Sequence, residues 1–327
     1  MSISTLPLAP EITLTDYGVP ADTLLDDVLA GLRTLPKTLP SKYFYDEAGS
    51  RLFDAITKLD AYYPTRTEMG IMAGYIDEMV GAIGERALLV EYGSGSSLKT
   101  RILLDHLPRL VGYVPIDISG EYLLATAYRL AERYPDLPIA PIAADYTSDF
   151  RLPPLAAEVD NVVAFFPGST IGNFTPTEAE AFLKGAARLV GPGGLLLMGV
   201  DLKKEKPVLD LAYDDPEGVT AAFNLNILTR LNRELDADFD LDAFAHRAFY
   251  NEDAGRVEMH LVSLADQRVT IGAVEVAFAQ GETIHTENSY KYALHEAADL
   301  AARAGFGVEQ VWTDANDWFS VQLLRVV

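Results

Sequence analysis

The sequence predicts an α/β protein with an open, mostly parallel sheet, helices on both faces, and an inserted α+β region late in the chain. Three observations carry this. Short apolar runs alternate with helix-compatible segments from residue 87 to residue 201, the pattern of a parallel sheet. The first of those runs opens into a Gly-Ser-rich turn, Gly93-Ser94-Gly95-Ser96-Ser97, before a helical segment. After Asp201 the periodicity changes, and residues 245–290 alternate like antiparallel strands before the first pattern resumes.

In chain order, residues 1–20 contain Pro and Thr and read as a loose arm. Residues 21–35 read as a helix with Leu24, Leu25, Val28, Leu29 and Leu32 on one face. Residues 35–46 are proline-punctuated and aromatic, too irregular for a regular element. A helix is expected over 49–59, stopped by Pro64, with Thr65-x-x-Glu68 placed to cap the next one. Strands follow at 87–92, 111–117, 138–144, 160–166 and 193–200, and helices at 98–107, 119–134 and 176–190. Thr175-Pro176-Thr177-Glu178 starts the last of these helices as a capping box with Pro at the first position. Residues 202–235 are mixed and helical, 295–304 form a helix ending at Gly305, and 308–313 and 319–326 are closing strands. The sum is a seven-stranded, Rossmann-like sheet of the methyltransferase type with its last strand antiparallel.

Composition narrows the function. The 327 residues are 49% hydrophobic and 23% charged, as in an ordinary globular protein. A net charge of -22 disfavours nucleic-acid and anionic-membrane partners. With no cysteine, disulfides, zinc-thiolate sites, iron-sulfur clusters and thiol nucleophiles are excluded. Residues 1–7 lack the basic and apolar regions of a signal peptide, and no apolar run reaches spanning length. A cytoplasmic protein is expected.

The chemistry should gather at the strands' carboxyl ends. Gly93 and Gly95 let the backbone approach a ligand, but Leu98 stands where a dinucleotide fingerprint has its third glycine. NAD and FAD are disfavoured, and another nucleoside cofactor is not. Asp117 ends the second strand, 22 residues beyond Gly95, where an acid accepts from ribose hydroxyls. Asp145 ends the third, beside Tyr146, which could line an adenine slot. Glycines at 168 and 172 permit tight turns before Asn173, which can both donate and accept. An alternating strand at 286–292 puts Glu287 and Ser289 on one side.

Other patterns fail. The acidic run 236–242 has Leu241 where a calcium loop needs Gly and Arg247 where it needs Glu. Gly168-Ser169-Thr170-Ile171-Gly172 imitates a nucleophile elbow, but Thr replaces the central Ser. The five histidines show no paired metal spacing, so no metal is expected.

Several runs together resemble one family: Leu39 to Asp46, Tyr62 to Glu68, Glu91 to Thr100, Pro167 to Asn173, Tyr213-Asp214-Asp215, Asn232 to Leu235 and Glu287-Asn288-Ser289. The chain is similar to the histidine Nα-methyltransferases of ergothioneine biosynthesis. These use S-adenosylmethionine to make hercynine, the trimethylated betaine of histidine, and include tryptophan-specific relatives. The resemblance implies that Gly93, Ser94, Gly95, Lys99, Asp117, Asp145 and Tyr146 surround the cofactor, with Tyr45 near the methyl donor. It implies that Asn173 and Tyr213 hold the substrate carboxylate, and that Gly168 and Tyr62 face its amine. Glu287 and Ser289 would read the imidazole, with Met259 and Phe53 lining the same pocket. Tyr45 and Tyr62 are the catalytic candidates, orienting the amine or relaying its proton.

The resulting expectation is a monomeric enzyme with a small-molecule substrate, L-histidine. Residues 67–201 and 291–327 would bind S-adenosylmethionine, and 20–66 with 202–290 would bind the substrate, behind an arm over 1–19. The alternatives are a methyltransferase for tryptophan or tyrosine and a non-catalytic nucleoside-binding module.

Overall fold

The computed structural model describes residues 12–17, 21–95, 97–107, 109–148, 150–153 and 158–327. Most of the expected arm therefore lies outside the described residues, as does Ser96 of the glycine turn.

The chain begins with β1 (Thr15–Asp16), α1 (Ala21–Leu32), β2 (Lys37–Thr38), α2 (Glu47–Ile56), α3 (Tyr63–Gly74) and α4 (Ile76–Ile83). The alternating part comprises β3 (Ala87–Tyr92), α5 (Leu98–Leu104), β4 (Gly112–Asp117), α6 (Gly120–Arg133), β5 (Ile142–Ala143), β6 (Asn161–Phe166), α7 (Pro176–Val190) and β7 (Leu195–Asp201). Next come α8 (Lys206–Tyr213), α9 (Val219–Glu234), β8 (Phe244–Asn251), β9 (Arg256–Ser263), β10 (Gln267–Ile271), β11 (Val274–Phe278) and β12 (Thr283–Tyr290). The chain closes with α10 (Leu294–Arg303), β13 (Phe306–Thr313) and β14 (Phe319–Val326).

All seven expected strands join one sheet in the order β5-β4-β3-β6-β7-β14-β13, and β14 runs antiparallel to both its neighbours. An eighth strand was not foreseen. Thr15–Asp16, placed in the arm by sequence, pairs parallel to β5 at the edge. β5 is shorter than expected because Pro138 and Pro141 have no N–H to give a ladder; a single bridge, Tyr113 to Ile139, remains of its first half. Both faces of the sheet are covered. Leu88 and Val90 of β3 join one apolar cluster with α7 and α10, while Ala87 and Leu89 join another with α3, α4 and α5.

A second sheet, β2-β12-β9-β8, is antiparallel except for β2 on β12. Leu24, Val28, Leu32 and Phe44 share a core with Leu209, Ile227, Leu261 and Ile284 of the inserted region. The turn that follows β6 of the first sheet packs against β12 of the second.

The start of α3 departs from expectation. Pro64 does not end a helix there but occupies the first turn of the next one, where a missing N–H costs nothing. Thr65 and Glu68 consequently lie inside α3, both buried, and form no capping box. The box at Thr175 and Glu178 is present, with both reciprocal hydrogen bonds.

Candidate active site

The first turn at the sheet's carboxyl edge is built by backbone that only small residues tolerate. Gly93 and Gly95 have φ of 68° and 45°, and Ser97, which precedes α5, is also left-handed at 54°. Asp117, at the end of β4, accepts from the Gly95 amide at 3.2 Å and the Ser119 amide at 3.0 Å. Burial pushes its carboxyl above the ordinary value, and among the described residues no cation pairs with it. Ser94 Oγ is buried and has no hydrogen-bond partner among the described residues. Asp145 is more occupied: one oxygen accepts from the Thr147 amide at 2.9 Å and the other faces Lys42 at 3.4 Å. Tyr146 packs edge-on against Tyr92 and Phe166.

The second turn follows β6. Gly168 has φ of 81° and Ser169 57°. The Gly168 amide donates to the Glu68 carboxylate at 2.9 and 3.0 Å, and the same carboxylate is ion-paired to Lys99 at 2.5 Å. Glu68 is thus a fully buried brace between the two turns. Gly199 of β7 makes room for it, since a Cβ there would lie 2.0 Å from Glu68 Oε1. Gly172 brings the second turn onto β12; a Cβ would meet the Tyr290 carbonyl oxygen at 2.7 Å.

The third wall comes from the inserted region. β12 changes register against β9 between His285 and Glu287, so the simple alternation read from sequence is broken there. Glu287 and Ser289 nevertheless both face the cavity. Burial raises the Glu287 carboxyl to about 7, opposed by Lys291. Ser289 Oγ lies 2.7 Å from the Tyr213 hydroxyl. Beneath that pair Lys291 contacts Asp201 at 2.7 Å, and Asp201 also holds Lys204 at 2.6 Å and accepts from Tyr63 at 2.8 Å. Burial alone would raise the Asp201 carboxyl; the two lysines more than offset it and keep it below the usual range. Tyr45, Phe53, Tyr62 and Phe223 form an aromatic rim in edge-on and tilted contacts. Burial, reinforced by neighbouring acids and phenols, lifts the Tyr45 and Tyr62 hydroxyls well above the ordinary value.

These walls enclose one cavity of about 810 Å³. Every site residue expected from sequence lies on it, including Met259 and Asn173. Tyr290 does not; its hydroxyl accepts from Arg256 instead. Glu68, Asp201 and Lys291 were missed by the sequence reading. Asp201 carried the signal already used for Asp117 and Asp145, an acid ending an apolar strand. Glu68 and Lys291 gave no local sign, because each is paired with residues distant in sequence.

The electrostatics decide which nucleoside cofactor fits. Among the described residues the lining acids include Asp27, Asp54, Asp117, Asp145 and Glu287, whereas the lining lysines and arginines are Lys42 and Lys99 alone. Both lysines are already ion-paired. Such a wall repels a pyrophosphate and suits a cationic sulfonium, while Asp117 and unpartnered Ser94 Oγ can meet ribose hydroxyls.

The sequence profile of the family described as "Histidine-specific methyltransferase, SAM-dependent" matches residues 24–326. The chain belongs to this family. It is 43% identical over 308 residues to a histidine N-alpha-methyltransferase of Mycolicibacterium smegmatis, covering 93% of this chain and 95% of the relative. It is 30% identical to ergothioneine biosynthesis protein 1 of Neurospora crassa, over 86% of this chain and 32% of that longer protein. An L-tryptophan methyltransferase of Psilocybe serbica is also 30% identical, with 91% of each chain covered. The protein is therefore an S-adenosylmethionine-dependent methyltransferase, and the relatives it resembles carry the names of different amino acids.

One histidine group does form in the structure. Among the described residues, ligand atoms of Glu258, His260 and His285 lie within 4.8 Å of one another. The two rings stack at 4.7 Å and 19°, so their in-plane lone pairs cannot converge on one ion, and Arg256 already pairs with Glu258. Among the described residues, no helix is long and apolar enough to cross a membrane.

Proposed function

We propose that this protein trimethylates the α-amino group of L-histidine to give hercynine, as a cytoplasmic monomer with no nucleic-acid or membrane partner. The supporting observation is that Glu287 and Ser289 face the same cavity as the glycine turn and the Gly168 turn. In this reading residues 67–201 and 291–327 bind the cofactor, and residues 20–66 with 202–290 bind the amino acid.

S-adenosylmethionine supplies an activated methyl group on a sulfonium. Gly93, Ser94, Gly95 and Asp117 would hold its ribose and backbone, Lys99 would brace the turns through Glu68, and Asp145 and Tyr146 would flank the adenine. Asn173 and Tyr213 anchor the substrate carboxylate, fixing the α-nitrogen near one point for all rounds. Glu287 accepts an imidazole N–H, and Ser289 takes the other ring nitrogen; Phe53 and Met259 fill the apolar sides.

Each round forms one N–C bond as one C–S bond breaks, and one proton leaves the nitrogen beforehand. The α-nitrogen ends quaternary after three rounds. Tyr45 and Tyr62 are held as neutral phenols, so they do not act as phenolate bases. Their oxygens accept from the amine, orient its lone pair and pass protons to water. With the donor already activated, alignment and exclusion of water carry most of the catalysis.

An assay with labelled methyl donor and each of the twenty amino acids tests this. Trimethylation of histidine is expected. Transfer to tryptophan or tyrosine instead would replace the substrate, and no transfer to any would leave a binding module.

A further inference from the structure

Lys291 stands directly behind the two hydroxyls that the cavity meets at Tyr213 and Ser289. Its Nζ lies 2.9 Å from the Tyr213 hydroxyl, 2.8 Å from Ser289 Oγ and 2.7 Å from Asp201 Oδ2, and its side chain is fully buried. An ammonium has three hydrogens and no acceptor, so these contacts use it completely. Both hydroxyl oxygens therefore accept from Lys291, and neither can give its own hydrogen back. Since the two oxygens are 2.7 Å apart, one hydrogen lies between them. The pair owns two. One remains, and it points into the cavity.

We propose that Lys291 is a positioning residue that makes Tyr213 and Ser289 offer the substrate one donor and one acceptor. The ring must then meet Ser289 with an N–H and share a further proton with Glu287. The inference rests on the histidine reading given above. With the substrate carboxylate on Tyr213, the spare hydrogen is Tyr213's. Ser289 is left with a lone pair. A neutral imidazole has a single N–H, and once Ser289 has claimed it, the other ring nitrogen faces the Glu287 carboxylate lone pair to lone pair. One extra proton, on the ring or on Glu287, removes that clash.

Charge neutralisation alone does not account for Lys291. Asp201 already has Lys204 at 2.6 Å and the Tyr63 hydroxyl at 2.8 Å. In this cluster Lys204, lowered by burial to about 8 and faced also by Asp314, shares Asp201 with Lys291, and it is Lys291 that lies behind the substrate-facing hydroxyls. The titratable groups that act on Glu287 from the surrounding elements are the Tyr45, Tyr62 and Tyr213 phenols and the Lys291 ammonium. Only Lys291 is cationic, and Asp201 partly compensates it from behind.

The decisive probe is hercynine, whose quaternary nitrogen cannot titrate. Calorimetry at about pH 8, in buffers of different ionisation enthalpy, should find uptake of about one proton per hercynine bound by the wild-type enzyme. In Lys291→Met, where Asp201 keeps Lys204, the KM for histidine should rise about tenfold or more and that for S-adenosylmethionine stay within about threefold. Hercynine binding without proton uptake would overturn the proposal, as would an equal rise in both KM values, which marks a merely structural lysine. Should the variant fail to fold, the wild-type uptake still decides. A wild-type protein that neither binds hercynine nor methylates histidine would instead overturn the underlying substrate reading.

Discussion

Glu68 and Lys99 form an ion pair at 2.5 Å that ties α3 to α5, the helix leaving the cofactor turn. Because the Glu68 carboxylate also accepts the Gly168 amide, one buried side chain spans both glycine turns. Glu68→Ala would leave the Lys99 ammonium and the Gly168 amide without partners, and should cost about 3 kcal/mol of stability. Gly199→Ala should weaken the same brace, since the new methyl would lie 2.0 Å from Glu68 Oε1. Denaturant titration with and without S-adenosylhomocysteine measures both effects. Wild-type stability and affinity in the two variants would reject the brace.

The Glu287 carboxyl should give stability a distinctive pH dependence. Its value is raised from 4.5 to about 7, so the folded protein holds this proton more tightly than the unfolded chain. The corresponding stability is complete below the lower value and is lost as pH rises through the higher one. Glu287→Gln has no such loss. Its urea midpoint relative to wild type should therefore climb between about pH 5 and pH 8. A constant difference across that window would mean that Glu287 ionises as an ordinary surface acid.

Selectivity should depend on the same residue through a different property. A buried acceptor is left unpaired by a side chain that lacks a matching N–H, which can cost about four orders of magnitude in kcat/KM. Tryptophan has one ring N–H and more volume than histidine. Glu287→Ala should lower histidine turnover and move the histidine-to-tryptophan ratio toward tryptophan. Histidine kinetics unchanged in this variant would remove Glu287 from the substrate site.

Carboxylate anchoring should affect all three methyl transfers alike. Asn173→Ala or Tyr213→Phe removes a contact to a part of the substrate that does not change between rounds. Rates should fall by about tenfold or more at each step. Mass spectrometry of mono-, di- and trimethylated products should show the same proportions as wild type at matched conversion. Selective accumulation of the dimethyl product would place these residues at the nitrogen instead.

Much of the architecture was legible in the sequence because local rules govern it. Apolar runs of strand length between helical segments determine a parallel sheet, and Gly93, Gly95 and Gly168 mark turns that need left-handed backbone. The edge strand Thr15–Asp16 was not legible, since two residues carry no periodicity. Thr65 and Glu68 misled for a related reason: the capping spacing was right, but the helix already begins at Tyr63, two positions before Thr65, with Pro64 in its first turn.

The sequence by itself determined the fold class, the cofactor turn and, through motifs distributed along the chain, the residues that line the site. Tertiary structure decided how those residues are charged and oriented. It joined Glu68 to Lys99 and Lys291 to Asp201 across long separations, because a buried charge is tolerable only where a distant partner meets it. It also broke the alternation of β12 with a change of register at Glu287, which a period-two reading cannot foresee.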